Sequence, residues 1–376
     1  MQHFDADIAG ADSALDAGRS AEATSIAHNV LARAVASKDA RAEAKALACL
    51  ANCDRLLSRF RRSHYASRRA ADLFAQVQDV AGEAAALGTC AHAASVLGRN
   101  EEAVEAGLLA VNLAQRIGEE RPLAVAKIQL GVAYFFGRSF DRAQSTLDDA
   151  IFLSKTCSPE LSPFQVRVTQ GCAEVVRGIT ERCLEQPLTG GKRLHHILSV
   201  GSALLRGGQD DAIANGVRVS ARALWHLIAA TAHAWSGDLG QAMAELDTAE
   251  QWMNEFGVKT SLNAFAEMVR AEMDFAVSDF EGAERHSVAV VRLSTAAEHE
   301  QFAQIGCLMA GRALKAQGKF ENALLMHQGL AIREQNVRVA SLNEKEARSQ
   351  ATTRLALLPS VEGNRSRNAS PTGLES

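Results

Sequence analysis

Three features predict an all-α fold, a superhelical solenoid of antiparallel helix pairs repeating about every 40 residues. Phe60, Asn100 and Phe140 stand 40 residues apart, and each is followed three residues later by a small one, Ser63, Ala103 and Ala143. Ser20 upstream and Phe280 and Phe320 downstream extend the series. A turn frame also recurs, reading Gly18-Arg19-Ser20 to Ala23, Gly98-Arg99-Asn100 to Ala103, Gly237-Asp238-Leu239 to Ala242, and Gly318-Lys319-Phe320 to Ala323. Finally, 47% of the residues are hydrophobic but only 5% aromatic, so the apolar content is mostly Ala and Leu. That balance favours helices packed through small side chains over sheets, which draw on β-branched and aromatic residues.

The pairs follow in order. Leu47, Leu50, Ala51, Leu57 and Phe60 recur at helical spacing up to a turn near residues 58–61. Tyr65, Ala66, Ala70 and Phe74 then continue the same period in the returning helix. Similar pairs are expected at Ala84–Ala114, Leu123–Ser154, Ala221–Phe256, Ser261–Ala296 and Gln301–Arg333. Between pairs, Ser37-Lys38-Asp39, Gln78-Asp79 and Gly118-Glu119-Glu120 are suited to ending one helix and starting another. Ala23, Ala103, Ala143, Ala242, Ala283 and Ala323, with Ser63, open each second helix where it crosses the first. A larger side chain there would push the backbones apart. One pair cannot bury its apolar face alone, so neighbours must stack.

The register slips once. Gly178 and Thr180 keep the 40-residue spacing, but Leu239 arrives 59 residues after Thr180. Residues 186–217, with Gly190-Gly191 and Gly207-Gly208, are read as a degenerate pair and an extra connection, either a hinge or a decayed repeat that still packs. The expected organisation is a repeat array over 1–335, a polar helix over 336–358 and a disordered tail over 359–376, which is rich in Ser, Asn and Gly.

These residues resemble the tetratricopeptide repeat, which has Gly or Ala within its first helix, Gly-x-aromatic at the turn and Ala after it. Leu130-Gly131-Val132-Ala133-Tyr134 with Phe140 and Ala143 is the best single match. The usual period is ~34, so helices or loops here are longer, as in bacterial signalling and regulatory proteins. The resemblance implies a right-handed superhelix with a concave groove lined by the first helix of each pair. The stretch Leu325–Arg354 is similar to the exit helix that joins such repeats to a diguanylate cyclase domain, whose Gly-Gly-Asp/Glu-Glu-Phe signature this chain lacks.

Mapped by that register, the groove takes Lys45, Asn52 and Arg55 from one repeat and His92 and Ser95 from the next. Val132, Phe135 and Phe136 follow, then Arg312 and Lys315 from the last. A polar, partly basic end beside an apolar middle suits an extended peptide or helix with an acidic terminus. Phe135 and Phe136 are equally well read as core between repeats. The arginines Arg55, Arg59, Arg61, Arg62, Arg68 and Arg69 flank His64 and Tyr65. They could converge on a phosphate or acidic peptide, or form a solvated edge. Arg59 and Arg62 therefore join the candidate partner-binding residues.

Other chemistry is poorly supported. The net charge is -4, so the whole-chain field does not attract nucleic acid. The seven cysteines are odd in number and scattered, which fits a reducing compartment. Cys49 and Cys53 share a helical face one repeat before Cys90 and His92, a set that could hold zinc but reads better as small core residues. His226 and His233 share a face without a carboxylate partner. Nucleophile and phosphate-loop motifs are missing, and Thr189-Gly190-Gly191-Lys192 lacks the preceding strand such a loop needs. No signal peptide or membrane-spanning run is read, so a soluble, cytoplasmic location is expected. The expectation is a noncatalytic, cofactor-free interaction protein, with a homo-oligomer compatible with the sequence. The alternative is a sensory module that passes ligand binding on through the 331–358 helix.

Overall fold

The computed structural model describes residues 4–16, 19–156, 163–186, 193–194, 196–201, 219–255 and 261–357, with backbone alone over 340–357. The described residues form helices and their connections, with no strand among them. In chain order the helices are α1 (Phe4–Asp16), α2 (Ser20–Ser37), α3 (Ala40–Leu56), α4 (Phe60–Gln76), α5 (Val80–Val96), α6 (Asn100–Ile117), α7 (Glu120–Phe136) and α8 (Phe140–Thr156). They continue as α9 (Pro163–Cys183), α10 (Val219–Ser236), α11 (Leu239–Glu255), α12 (Ser261–Ala276), α13 (Phe280–Ala296), α14 (Glu300–Ala316) and α15 (Phe320–Leu357). The architecture is an all-α solenoid of the tetratricopeptide-like class. The tail at 359–376 and most of 186–217, including both Gly-Gly pairs, lie outside the described residues.

The turn inside each pair has one backbone recipe. A single residue takes the left-handed conformation, and the next amide reaches back to a carbonyl of the helix just ended. At Gly98 φ is +77°, and Arg99 N–H donates to Ala94 O at 2.9 Å. Ser58, Arg138 and Ser278 fill the same place at φ 56°, 60° and 62° without glycine's freedom. Between pairs, Asp39 and Asp79 cap the next helix, accepting from Ala42 N at 3.0 Å and Gly82 N at 2.9 Å. The small residues after the turns are buried, with Ala23, Ala103, Ala242 and Ala283 wholly inaccessible. Ser63 is equally buried and donates its hydroxyl to Ala51 O at 2.8 Å, so its polarity is satisfied across the pair.

First helices also pack on first helices. α5 lies against α7, and α10 against α12, so these helices line the inner side of the curve. The irregularity differs from the expected one. No turn occurs at Gly178–Thr180. α9 runs straight through both to Cys183, and the left-handed residue is Glu185. Gly178 serves packing instead, since a Cβ there would lie 2.3 Å from the Trp235 ring. α9 touches α7, α8, α10 and α14, and so sits at the centre of the curve.

That curvature closes the superhelix on itself. Arg61 pairs with Glu298 at 3.6 Å, Gln301 donates to Asn100 at 2.8 Å, and Arg138 pairs with Glu334 at 3.5 Å. Between them lies an aromatic plug. His299 stacks on Phe302 with ring centroids 3.8 Å apart, and meets Phe60 and Phe136 edge-on at 5.8 and 5.7 Å. The main core cluster accordingly joins Phe60, Val96 and Phe136 to Phe302 and Met309. α15 is continuous to Leu357, across the expected boundary at 335–336.

Candidate functional site

The inner faces of α3, α5 and α7 enclose a hollow of about 340 Å³. Its floor is made of small residues, among them Ala48, Ala51, Ala84, Ala85 and Gly88. These come from the alanine-rich first helices, which need small side chains to approach one another. Asn52, Thr89 and Gln129 add neutral polar groups. Arg55 and Arg121 are the only charged residues in the lining. A floor without bulk and a rim with amides and guanidiniums can take an apolar side chain while bonding a backbone beside it.

His92 braces this hollow. Its Nδ1 lies 3.1 Å from Gln129 Oε1, which fixes the carboxamide of a lining residue. Burial, reinforced by the nearby positive charge of Arg55, lowers the His92 pKa to about 3, so its ring is neutral near pH 7. Of the residues expected in the groove, Asn52 and Arg55 line the hollow and His92 stands behind it. Gln129, Thr89 and Arg121 did not emerge from the sequence, although the repeat carried the signal. Adding the 40-residue period to Thr89 gives Gln129, and adding it to Ala81 gives Arg121.

The remaining candidates are placed differently. Lys45 turns toward α1 and bonds Asp5 at 2.6 Å. Arg59 and Arg62 both turn to the buried carboxylate of Asp54, at 3.7 and 3.5 Å. Burial raises the Asp54 pKa, and the two guanidiniums oppose that rise. Arg61, Arg68 and Arg69 pair with Glu298, Asp72 and Glu43. The arginine cluster is thus divided among internal acids and does not converge on one outside anion. Phe135 and Phe136 correct the expectation of an apolar groove contact. They are 4% and 7% exposed, because closure brings Phe302 to a centroid distance of 6.2 Å from Phe136. Arg312 donates to the buried Glu272 at 3.3 Å and stacks on Phe275, while Lys315 pairs with Glu185. His226 has the carboxylate partner that the sequence did not suggest, with Glu245 at 2.6 Å.

The cysteines regroup as well. Cys49 and Cys53 lie in a core cluster with α1 and α2 residues. Cys90 instead meets His64 and Glu102, three buried groups whose donor atoms lie within 4.8 Å of one another. Glu102 is 3.1 Å from His64 Nε2 and 3.7 Å from Arg99. Burial alone would lower the His64 pKa. The Cys90 thiol and the Glu102 carboxylate outweigh it and raise the value to about 9. His64 is therefore an internal cation near pH 7, held by Glu102.

A second hollow, about 350 Å³, lies on the closure seam between the α5–α6 and α7–α8 turns, α14 and α15. Arg99, Arg138, Glu334 and Arg338 line it with Gln301 and Gln304. No helix of the described residues is long and apolar enough to cross a membrane.

No protein-family model and no curated protein matches the sequence. Among solved structures, the chain is similar to a Rap protein complexed with competence and sporulation factor. The likeness has a TM-score of 0.60 at 9% identity and covers 90% of this chain and 99% of that one. At that identity it carries the fold alone.

Proposed function

We propose that this chain is a noncatalytic, cytoplasmic bacterial protein that binds a peptide or short helix of a protein partner in the α3–α5–α7 hollow. The hollow itself carries the reading, because Ala and Gly form its floor while Asn52, Gln129, Arg55 and Arg121 rim it. In this reading Asn52 and Gln129 bond the ligand's backbone, Arg55 supplies charge, and His92 holds Gln129 in position. Support from similarity is limited to the fold shared with a protein whose structure contains a bound factor. We propose no nucleic-acid partner. A displayed random-peptide library panned on the chain tests this. Selected peptides should lose at least about tenfold in affinity with Asn52→Ala or Arg55→Glu, with the melting temperature unchanged. A library that returns no binder, or binders indifferent to both changes, rules the site out.

A second reading is a sensory module sharing ancestry with the repeat region of diguanylate cyclase proteins. The unbroken 38 residues of α15 favour it, since a stiff helix can carry a change of pitch outward. Thermal stabilisation by a small metabolite, with no peptide selected, would distinguish it.

A further inference from the structure

α15 carries apolar residues on two sides, one against the array and one facing outward. Its charged residues turn toward the array, where Arg333 pairs with Glu300 at 2.9 Å and Glu334 with Arg138 at 3.5 Å, and Arg338 lines the seam hollow. Ala323, Met326, Leu330 and Val337 also face the array, and Val337 lines the same hollow. A second set of apolar residues turns outward. Leu324, Leu325, Ile332 and Val339 are 58, 62, 57 and 47% exposed. Gln328, Ala331, Gln335 and Asn336 complete that outward stripe, which holds no charge between Leu324 and Val339. Other second helices show how such a face is used, for α4, α6 and α13 each have the next pair's first helix packed on them. α15 has α14 alone among the described helices packed closely on it.

The spacing of the stripe identifies what covers it. Leu325, Gln328, Ile332, Gln335 and Val339 follow one another at intervals of three, four, three and four residues. That is the seam of a coiled coil, which keeps a constant face only against another helix of the same period. Over these residues the seam is ~21 Å long at 1.5 Å per residue. A second α15 supplies a helix of the same period. We infer that two copies of this chain pair through the outward face of α15 as a two-stranded coiled coil. Leu325, Ile332 and Val339 form its apolar steps. Gln328 and Gln335 meet glutamines across the seam, where each amide can donate and accept. The two helices run parallel, which sets Ile332 against Ile332 and each glutamine against its counterpart.

Sedimentation equilibrium of the full chain tests this. The expected mass is twice the 40.2 kDa of one chain. Leu325→Glu with Ile332→Glu should return it to a single chain with unchanged circular dichroism, since both side chains are exposed. Gln328→Leu with Gln335→Leu, which makes the seam wholly apolar, should tighten the dimer at least about tenfold. Ile332→Cys should oxidise to a disulfide-linked dimer that the wild-type cysteines do not form. A single-chain mass at concentrations up to about 0.1 mM, a dimer that survives the double Glu variant, or an Ile332→Cys chain that stays unlinked would overturn the inference.

Discussion

Buried histidines set how this protein responds to pH. His92 and His299 are both held to pKa values of about 3, chiefly by burial, with the positive field of Arg55 adding at His92. His299 also uses Nδ1 to accept from Phe302 N at 3.3 Å, a bond that needs the unprotonated nitrogen. In the unfolded chain both would titrate near ~6.5. Their contribution is therefore complete above that pH and declines as pH falls toward 3, because the unfolded state takes up protons that the folded state refuses. His64 has the opposite sign. With a folded value of about 9, its contribution is complete below ~6.5 and declines as pH rises toward 9. Melting temperature should thus fall on both sides of a maximum near neutrality. His299→Gln should flatten the acid limb and Glu102→Gln the alkaline one; acid and alkaline limbs that ignore both changes would refute these assignments. No residue-level pattern in the sequence distinguishes the three, because each depends on how deeply it is buried and on which charges fold against it.

At the scale of the helix, packing runs on small residues at crossings, and that much was legible. Gly131, in the best-matching repeat, lies where a Cβ would approach Leu147 to 2.7 Å. Gly306 on α14 meets backbone as well as side chains, with Val291 backbone N 3.0 Å from such a Cβ. A side-chain obstacle can rotate away, but a helix backbone must be displaced as a unit. Gly306→Ala is therefore expected to cost about 1–3 kcal/mol by overpacking, offset only partly by the better helix propensity of Ala. Denaturant midpoints would check it, and an unchanged or raised midpoint would show that α13 and α14 separate freely. The slip after Thr180 was legible as a break in period but not in its form. Gly178 reads as a turn residue by register, yet it is the seat of the Trp235 ring from α10, a helix 41 residues further on. A tertiary contact there outweighed the local signal.

Closure governs the whole molecule. The seam combines exposed ion pairs, each contributing roughly 0–1 kcal/mol, with a buried plug of Phe60, Phe136, His299 and Phe302, so the aromatic side chains dominate it. Phe302→Ala should weaken the seam by about 3–5 kcal/mol while sparing the repeats on either side. Small-angle scattering should then show a larger radius of gyration with helical circular dichroism preserved, and an unchanged radius would mean that closure depends on α9 rather than on the plug. Closure is also why Phe135 and Phe136 are core, whereas Asn52 and Arg55 keep the places that register assigned them. Periodicity alone determined the helix pairs, their turns and the side of α3 and α5 that looks inward, since each is a relation between residues at most one repeat apart. Only the tertiary structure decided how tightly the pairs wind, and so which inward residues stay open and which meet α14. Winding sums small rotations over every pair, and brings Phe136 to Phe302 across 166 residues that share no local pattern.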